Sequence, residues 1–297
     1  MEPRDWPKIM SERHHWWPKS LSRYWADSRG YVNQVRSDGT LTDSAPQSFG
    51  KVWDHNIVRL GSTPTPWDHS FEREFDDADG SFPALVKWLQ TLRSAIIPSS
   101  GDLSKRLSPL DLPAARQAQC AECSASLILR SPSYRHRVNR AIEGFGLTAT
   151  DAVAGANVHR KQRTLADGMA TGGKFAILLS GSEEFIFGDG FLHNVNVGHI
   201  TPFNMRCLIP ITPEIAIFYS RPWKSLSLPK AFVINLRKDE VMFVNWIIQI
   251  YSKNFLFFRE IYPIIKSEFE RGEHLEIEYH QHPWLDALSD SMAFYSS

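Results

Sequence analysis

Cysteine is scarce: Cys120, Cys123 and Cys207 are the only three in 297 residues. An odd, sparse set does not make a disulfide framework. Cys120-Ala121-Glu122-Cys123 also stands without the second pair that a four-cysteine zinc site needs, and its alanine-rich helical setting reads as buried thiols. An excess of charge is missing too, since 33 basic side chains face 33 acidic ones. No global field draws the chain to nucleic acid or membrane, and either would need a local patch. The start, Met1 to Trp6, has no apolar core of the kind a secretory leader carries. The longest apolar run, Val241 to Phe258, is broken by Asn245, Gln249, Lys253 and Asn254. A bilayer-spanning helix would not place those groups at depth. A cytoplasmic location and no membrane partner are therefore expected. Gly168 to Lys174 lacks the phosphate-loop spacing and leads into a strand, not a helix. The nucleophile elbow, the kinase motif set and H-E-x-x-H are all absent.

Apolar residues, by contrast, reach 42%, enough for a sizeable core. Seven of the ten tryptophans (Trp6, Trp16, Trp17, Trp25, Trp53, Trp67 and Trp88) lie before residue 90. Tryptophan is large and mostly buried, so the N-terminal part should pack onto the rest. A single domain over 1–297 is expected, in three stretches. Residues 1–70 form a Trp-rich segment packed on the body, with a helical turn near Leu21 to Trp25 and a hairpin turning at Ser37 to Thr40. Residues 71–170 are mainly helical, with a break and restart at Gly80 to Pro83. Helices should cover Pro113 to Arg130 and Tyr134 to Glu143. Over 171–297, Phe175 to Leu179 and Glu184 to Phe187 read as a hairpin, and two strands flank Pro210 to Pro213. One helix runs from Asp239 to Tyr251, a second from Phe255 to Arg271, and Leu275 to Tyr279 alternates as a last strand. Separate runs of helix and strand predict an α+β fold, a helical middle and a C-terminal part packed on a small antiparallel sheet.

The stretch Arg13-His14-His15-Trp16-Trp17-Pro18-Lys19 puts two histidines against two tryptophans and is read as the organising element of the chain. Adjacent side chains in a strand point to opposite faces, so one histidine would serve a site and the other would hold structure. The pair also reads as ordinary histidines beside a Trp cluster. Asp189, between Gly188 and Gly190 after an apolar strand, either orients a histidine, binds a metal or makes a turn. Seven basic residues (Arg130, Arg135, Arg137, Arg140, Arg160, Lys161 and Arg163) stand against Glu143 and Asp151. Such a run either binds phosphate or nucleic acid, or forms a solvated helix face. Asn245 is an amide inside an apolar helix turn and must find partners. His274, His280 and His282, with His193 and His199, lack the carboxylate spacing of a metal site.

His14-His15-x-x-Pro18, followed by Leu21, Trp25, Asp27 and Gly30, resembles the opening of the bacterial domain-of-unknown-function family 4238. Arg130-Ser131-Pro132 with Arg135, Phe185 to Asp189, Leu208 to Pro213 and Asn245 match further motifs of that family in the same order. The match spans roughly residues 13 to 258. It departs where Gly188 replaces a serine, where Gly190-Phe191 replaces Asn-Pro, and in a shorter apolar stretch after Pro18. The resemblance implies one site drawn from His14 or His15, Arg130, Arg135, Asp189 and Asn245.

A histidine, an acid and arginines in one cleft suit phosphodiester chemistry. The leading expectation is a nuclease-like hydrolase with His14, His15 and Asp189 as catalytic groups. Arg130, Arg135 and Asn245 would hold substrate, and Mg²⁺ is the metal such a site would take. The alternative is a non-catalytic binding module for an acidic partner or RNA, docked on the Arg130–Arg163 basic segment, with the His/Asp cluster structural. A third reading is a nucleotide-transferring enzyme.

Overall fold

The computed structural model describes residues 13–53, 57–58, 69–70, 75–94, 97, 100–144, 146, 151–181, 183–197, 204–222, 227–275 and 282–295. The fold is α+β. The larger sheet has six strands in the order β10 (Leu192–His193), β11 (Arg206–Thr212), β12 (Ile215–Ser220), β8 (Lys174–Ser180), β13 (Ala231–Leu236) and β7 (Ser108–Leu110). Its neighbours are antiparallel except β8 and β13, which run parallel. The smaller sheet, β3 (Leu41–Ser44), β2 (Val32–Arg36), β14 (Phe255–Phe258) and β9 (Phe187–Gly188), is wholly antiparallel. Two short antiparallel ladders pair β1 (Arg13–His15) with β4 (Lys51–Trp53) and β5 (Ile57–Val58) with β6 (His69–Ser70). The helices among the described residues are α1 (Lys19–Ser22), α2 (Asp76–Leu92), α3 (Leu103–Arg106), α4 (Ala114–Arg130), α5 (Pro132–Gly144), α6 (Asp151–Gly172), α7 (Lys238–Ile250), α8 (Ser267–Glu270) and α9 (Pro283–Ala293).

Every residue of β8 is buried, which is why its sequence runs apolar without alternating. One core joins residues from Trp16 to Met292. The turn between β11 and β12 comes at Pro213-Glu214, so Pro210, Ile211 and Thr212 of the expected corner belong to β11, whose register slips between Pro210 and Thr212 because proline donates no ladder bond. Helix α4 packs against α2 and α6 and is buried on most sides from Cys120 onward. Its two thiols are core groups: burial pushes Cys120 up to about 12 and Cys123 upward as well. The hairpin at Ser37 to Thr40, α4, α5 and α7 fall where the sequence places them.

Three expectations need correction. Helix α2 continues through Pro83 instead of restarting there. Ala78 and Phe82 before the proline, and Leu85, Val86 and Leu89 after it, bury one face, which offsets the lost backbone bond. Residues 184–187 do not form a hairpin with β8. The Phe185 N–H donates to the Pro213 carbonyl at 2.7 Å, and Asn245 takes up Glu184 and Ile186, so this backbone is already engaged. Phe255 to Phe258 is strand β14, not the start of a helix; only Ser267–Glu270 of that predicted helix is helical. A four-residue apolar run cannot separate strand from helix by period, and here it takes the place between β2 and β9 in the smaller sheet. Leu275 is irregular, while residues 276–279 of the expected last strand, with Trp6, Trp67 and the Trp53 side chain, lie outside the described residues.

The start of α7 is fixed by a buried ion pair. Glu240 accepts from Arg106 of α3, from the Arg237 N–H at 2.8 Å and from Trp284 Nε1 at 3.2 Å. Burial opposes the Glu240 charge, but these donors win and hold its carboxyl below the usual range. That contribution is present above the ordinary glutamate range and is lost as pH falls through the lowered value. Glu240→Leu should cost about 3–5 kcal/mol in urea unfolding by leaving Arg106 buried and unpaired, and adding Arg106→Leu should restore part of the loss. A double variant no more stable than the single one would show that the hydrogen bonds to Arg237 and Trp284, not the charge pair, dominate.

Candidate functional site

The N-terminal ladder brings His15 opposite Lys51 and His14 opposite Val52. The His14 side chain lies outside the described residues; the His15 ring is half-buried, and its Nδ1 is buried without a hydrogen-bond partner. Burial lowers the His15 pKa, the charges of Lys51 and Arg130 lower it further, and the Phe49 backbone and Asp79 oppose them. The imidazole is therefore neutral at neutral pH and available as a base. Behind it Trp16 and Trp17 are anchored: Trp17 stacks on Phe187 with centroids 4.1 Å apart, and Trp25 closes on the same ring at 4.5 Å.

Arg130 ends α4. Its buried guanidinium pairs with Asp79 of α2 through both terminal nitrogens and lies 4.5 Å from the centroid of the Phe75 ring. The charges of Arg130 and Asp79 both reach His15, so the acid near this histidine and arginine is Asp79, not Asp189. Asp79 was hidden in an acidic run. The available signal was spacing, since Phe75, Asp79 and Phe82 share one helix face and both aromatics are buried.

Asp189 has another task. Its Oδ1 accepts from the N–H groups of Lys253 at 2.8 Å and Asn254 at 3.2 Å. Its Oδ2 accepts from the Asn254 N–H at 3.1 Å and from Asn254 Nδ2 at 2.9 Å. Its own carbonyl accepts from Ser133 N–H at 3.2 Å. Burial pushes the carboxyl up, and the donors at 253–255 pull it back. The flanking glycines are steric: a Cβ on Gly188 would sit 1.8 Å from Ser252 Oγ, and one on Gly190 2.0 Å from the Tyr251 carbonyl.

Asn245 is equally committed, accepting from Ile186 N–H at 3.0 Å and donating to the Glu184 carbonyl at 2.8 Å. It lies in the wall of a groove of about 420 Å³ between α7 and residues 261–266.

The basic segment divides by depth. Arg130, Arg137 and Lys161 are buried. Arg137 donates to the Val195 carbonyl and lies over Tyr134. Lys161 donates to Asn196 Oδ1 at 3.2 Å, and burial followed by the Arg137 charge brings its pKa down to about 8. Beside Arg137, His193 is fully buried with neither ring nitrogen hydrogen-bonded, and burial with the Arg137 charge keeps it neutral. Nothing in its sequence context marked His193 out. Arg140, Arg160 and Arg163 are exposed, Arg135 and His136 are half-buried, and Lys253 Nζ lies 3.4 Å from His136 Nε2. His282 is buried against the Tyr251 hydroxyl at 3.2 Å, while His199 and His280 lie outside the described residues. Among the described residues no three His, Cys, Asp or Glu side chains gather as metal ligands, and no helix is long and apolar enough to cross a membrane.

No family model matches the chain, and no match is found among curated proteins or solved structures.

Asp189→Asn turns one acceptor into a donor facing backbone N–H groups. It should cost about 1–3 kcal/mol in unfolding free energy. Unchanged stability in denaturant titration would mean that the carboxylate is not holding this turn.

Proposed function

We propose that the chain is a non-catalytic binding module for a polyanionic partner, single-stranded RNA foremost, docking on α5 and the outer face of α6. One observation carries this reading: the acid expected to do chemistry, Asp189, commits both carboxylate oxygens to the turn at 253–254. The basic side chains left at the surface support it. Arg140 is exposed on α5, Arg135 and His136 are half-buried there with Lys253 beside His136, and Arg160 and Arg163 are exposed on the neighbouring α6. Exposed guanidiniums hold phosphates without reading bases, so affinity here would be salt-dependent and weakly sequence-dependent. Membership of the domain-of-unknown-function family 4238 and a cytoplasmic location belong to the same proposal.

A second reading keeps the phosphodiester hydrolase and centres it on His15. The neutral, half-buried imidazole with an unpartnered Nδ1, close to Arg130 and Asp79, favours it. There His15 would accept the proton of an attacking water, with the Asp79 carboxylate favouring the cation that forms and the Arg130 charge opposing it.

Gel-shift and cleavage assays on labelled single-stranded RNA and duplex DNA, with Mg²⁺ or EDTA, separate the two. Wild type and His15→Ala should bind alike and leave the substrate intact, with affinity falling as salt rises. Arg140→Glu/Arg163→Glu should bind roughly tenfold more weakly, with a shallower salt slope. Cleavage that disappears in His15→Ala would replace the binding reading by the hydrolase. No binding and no cleavage in any lane would sink both.

A further inference from the structure

The groove beside α7 has a composition of its own. Four of the eight exposed large hydrophobic side chains among the described residues, Met242, Ile261, Tyr262 and Ile264, surround it, at 42–67% exposure. Phe243 and Trp246 supply aromatic wall, their centroids 5.5 Å apart. A volume near 420 Å³ falls in the range of small-ligand pockets.

Its polar floor is closed. Asn245 is bonded to Glu184 and Ile186. Gln249 Nε2 donates to the Ile264 carbonyl at 2.9 Å, and its Oε1 accepts from Lys266 N–H at 2.8 Å. Glu184 is held by Arg259, and Lys238 by Glu183 at 2.7 Å. A ligand body resting there meets apolar surface and no unsatisfied amide. Two rim charges remain. Lys266 sits beside Gln249 at one end, and Asp239 lies in the first turn of α7 at the other. Ten residues of helix separate Asp239 from Gln249, about 15 Å at helical rise.

We propose that this groove binds an amphipathic carboxylate, an acyl chain whose head group meets Lys266 and whose tail lies along Trp246 towards Met242. Charge complementarity selects the head group and the direction. The ammonium attracts a carboxylate at the Lys266 end, while Asp239 repels one at the other. The chain displaces water from Met242, Ile261, Tyr262 and Ile264 together, which accounts for their shared exposure in the unliganded protein. The basic faces of α5 and α6 take no part, so this site is independent of the polyanion reading.

Titration calorimetry with decanoate, below its micellar concentration, tests the site on the full chain, with decyltrimethylammonium as the cation on the same tail. Decanoate should bind one to one, and the cation roughly tenfold more weakly or worse. Ile264→Asp, an exposed substitution that leaves the core untouched, should abolish decanoate binding. Lys266→Glu should reverse the preference between the two head groups. Equal binding of both compounds would overturn the carboxylate, and binding of neither would overturn the site. A concentration-dependent dimer in light scattering that Ile264→Asp dissolves would make a second copy of the chain the occupant, and would also overturn the proposal.

Discussion

A carboxylate with no water around it must be met by donors or give up its charge, and around Asp189 that requirement sets much of the geometry. Its oxygens draw in the backbone of Lys253 and Asn254, which fixes how α7 turns into β14. Its carbonyl holds Ser133 and therefore the direction in which α5 leaves α4. One residue earlier is Gly188 and before that Phe187, the ring on which Trp17 and Trp25 close. Displacing the carboxylate would loosen a helix turn, a helix start and the aromatic seat of the N-terminal segment together. The glycines follow from the same crowding, because neither Ser252 nor the Tyr251 carbonyl leaves room for a Cβ.

Much of the scaffold is legible in the sequence because its causes are local. The Asp38-Gly39 turn between β2 and β3, the acidic first turn of α7 and the unbroken apolar run of β8 each announce themselves within a few residues. Legibility ends where partners are distant. Glu184 to Phe187 reads as one arm of a hairpin until Asn245, some sixty residues on, claims its backbone. Phe255 to Phe258 reads as helix until β2 and β9 are placed on either side of it. The candidate site divides in the same way. His15 and Arg130 could be paired by residue type, whereas Asp79 was one acid among several and His193 one histidine among many. Asp189 and Asn245 stand out in the sequence as polar groups in apolar surroundings. That their task is to satisfy backbone groups depends on neighbours 60 positions or more away.

These residues share one physical role. Glu184 accepts from the backbone of Glu260 and Ile261, Asp189 from 253–254, Asn245 bridges 184–186, and Gln249 ties 264 to 266. All four supply backbone partners for irregular segments around α7 that lack sheet or helix bonds there. Polar side chains that look catalytic in the sequence are used up in this way, and a group saturated by backbone donors has little left with which to move a proton. Chemistry or recognition is then left to what this framework does not consume. One remainder is the half-buried His15 ring beside its ion pair. The others are the exposed Arg160 and Arg163 of α6, and the apolar walls of a groove whose polar floor is already closed.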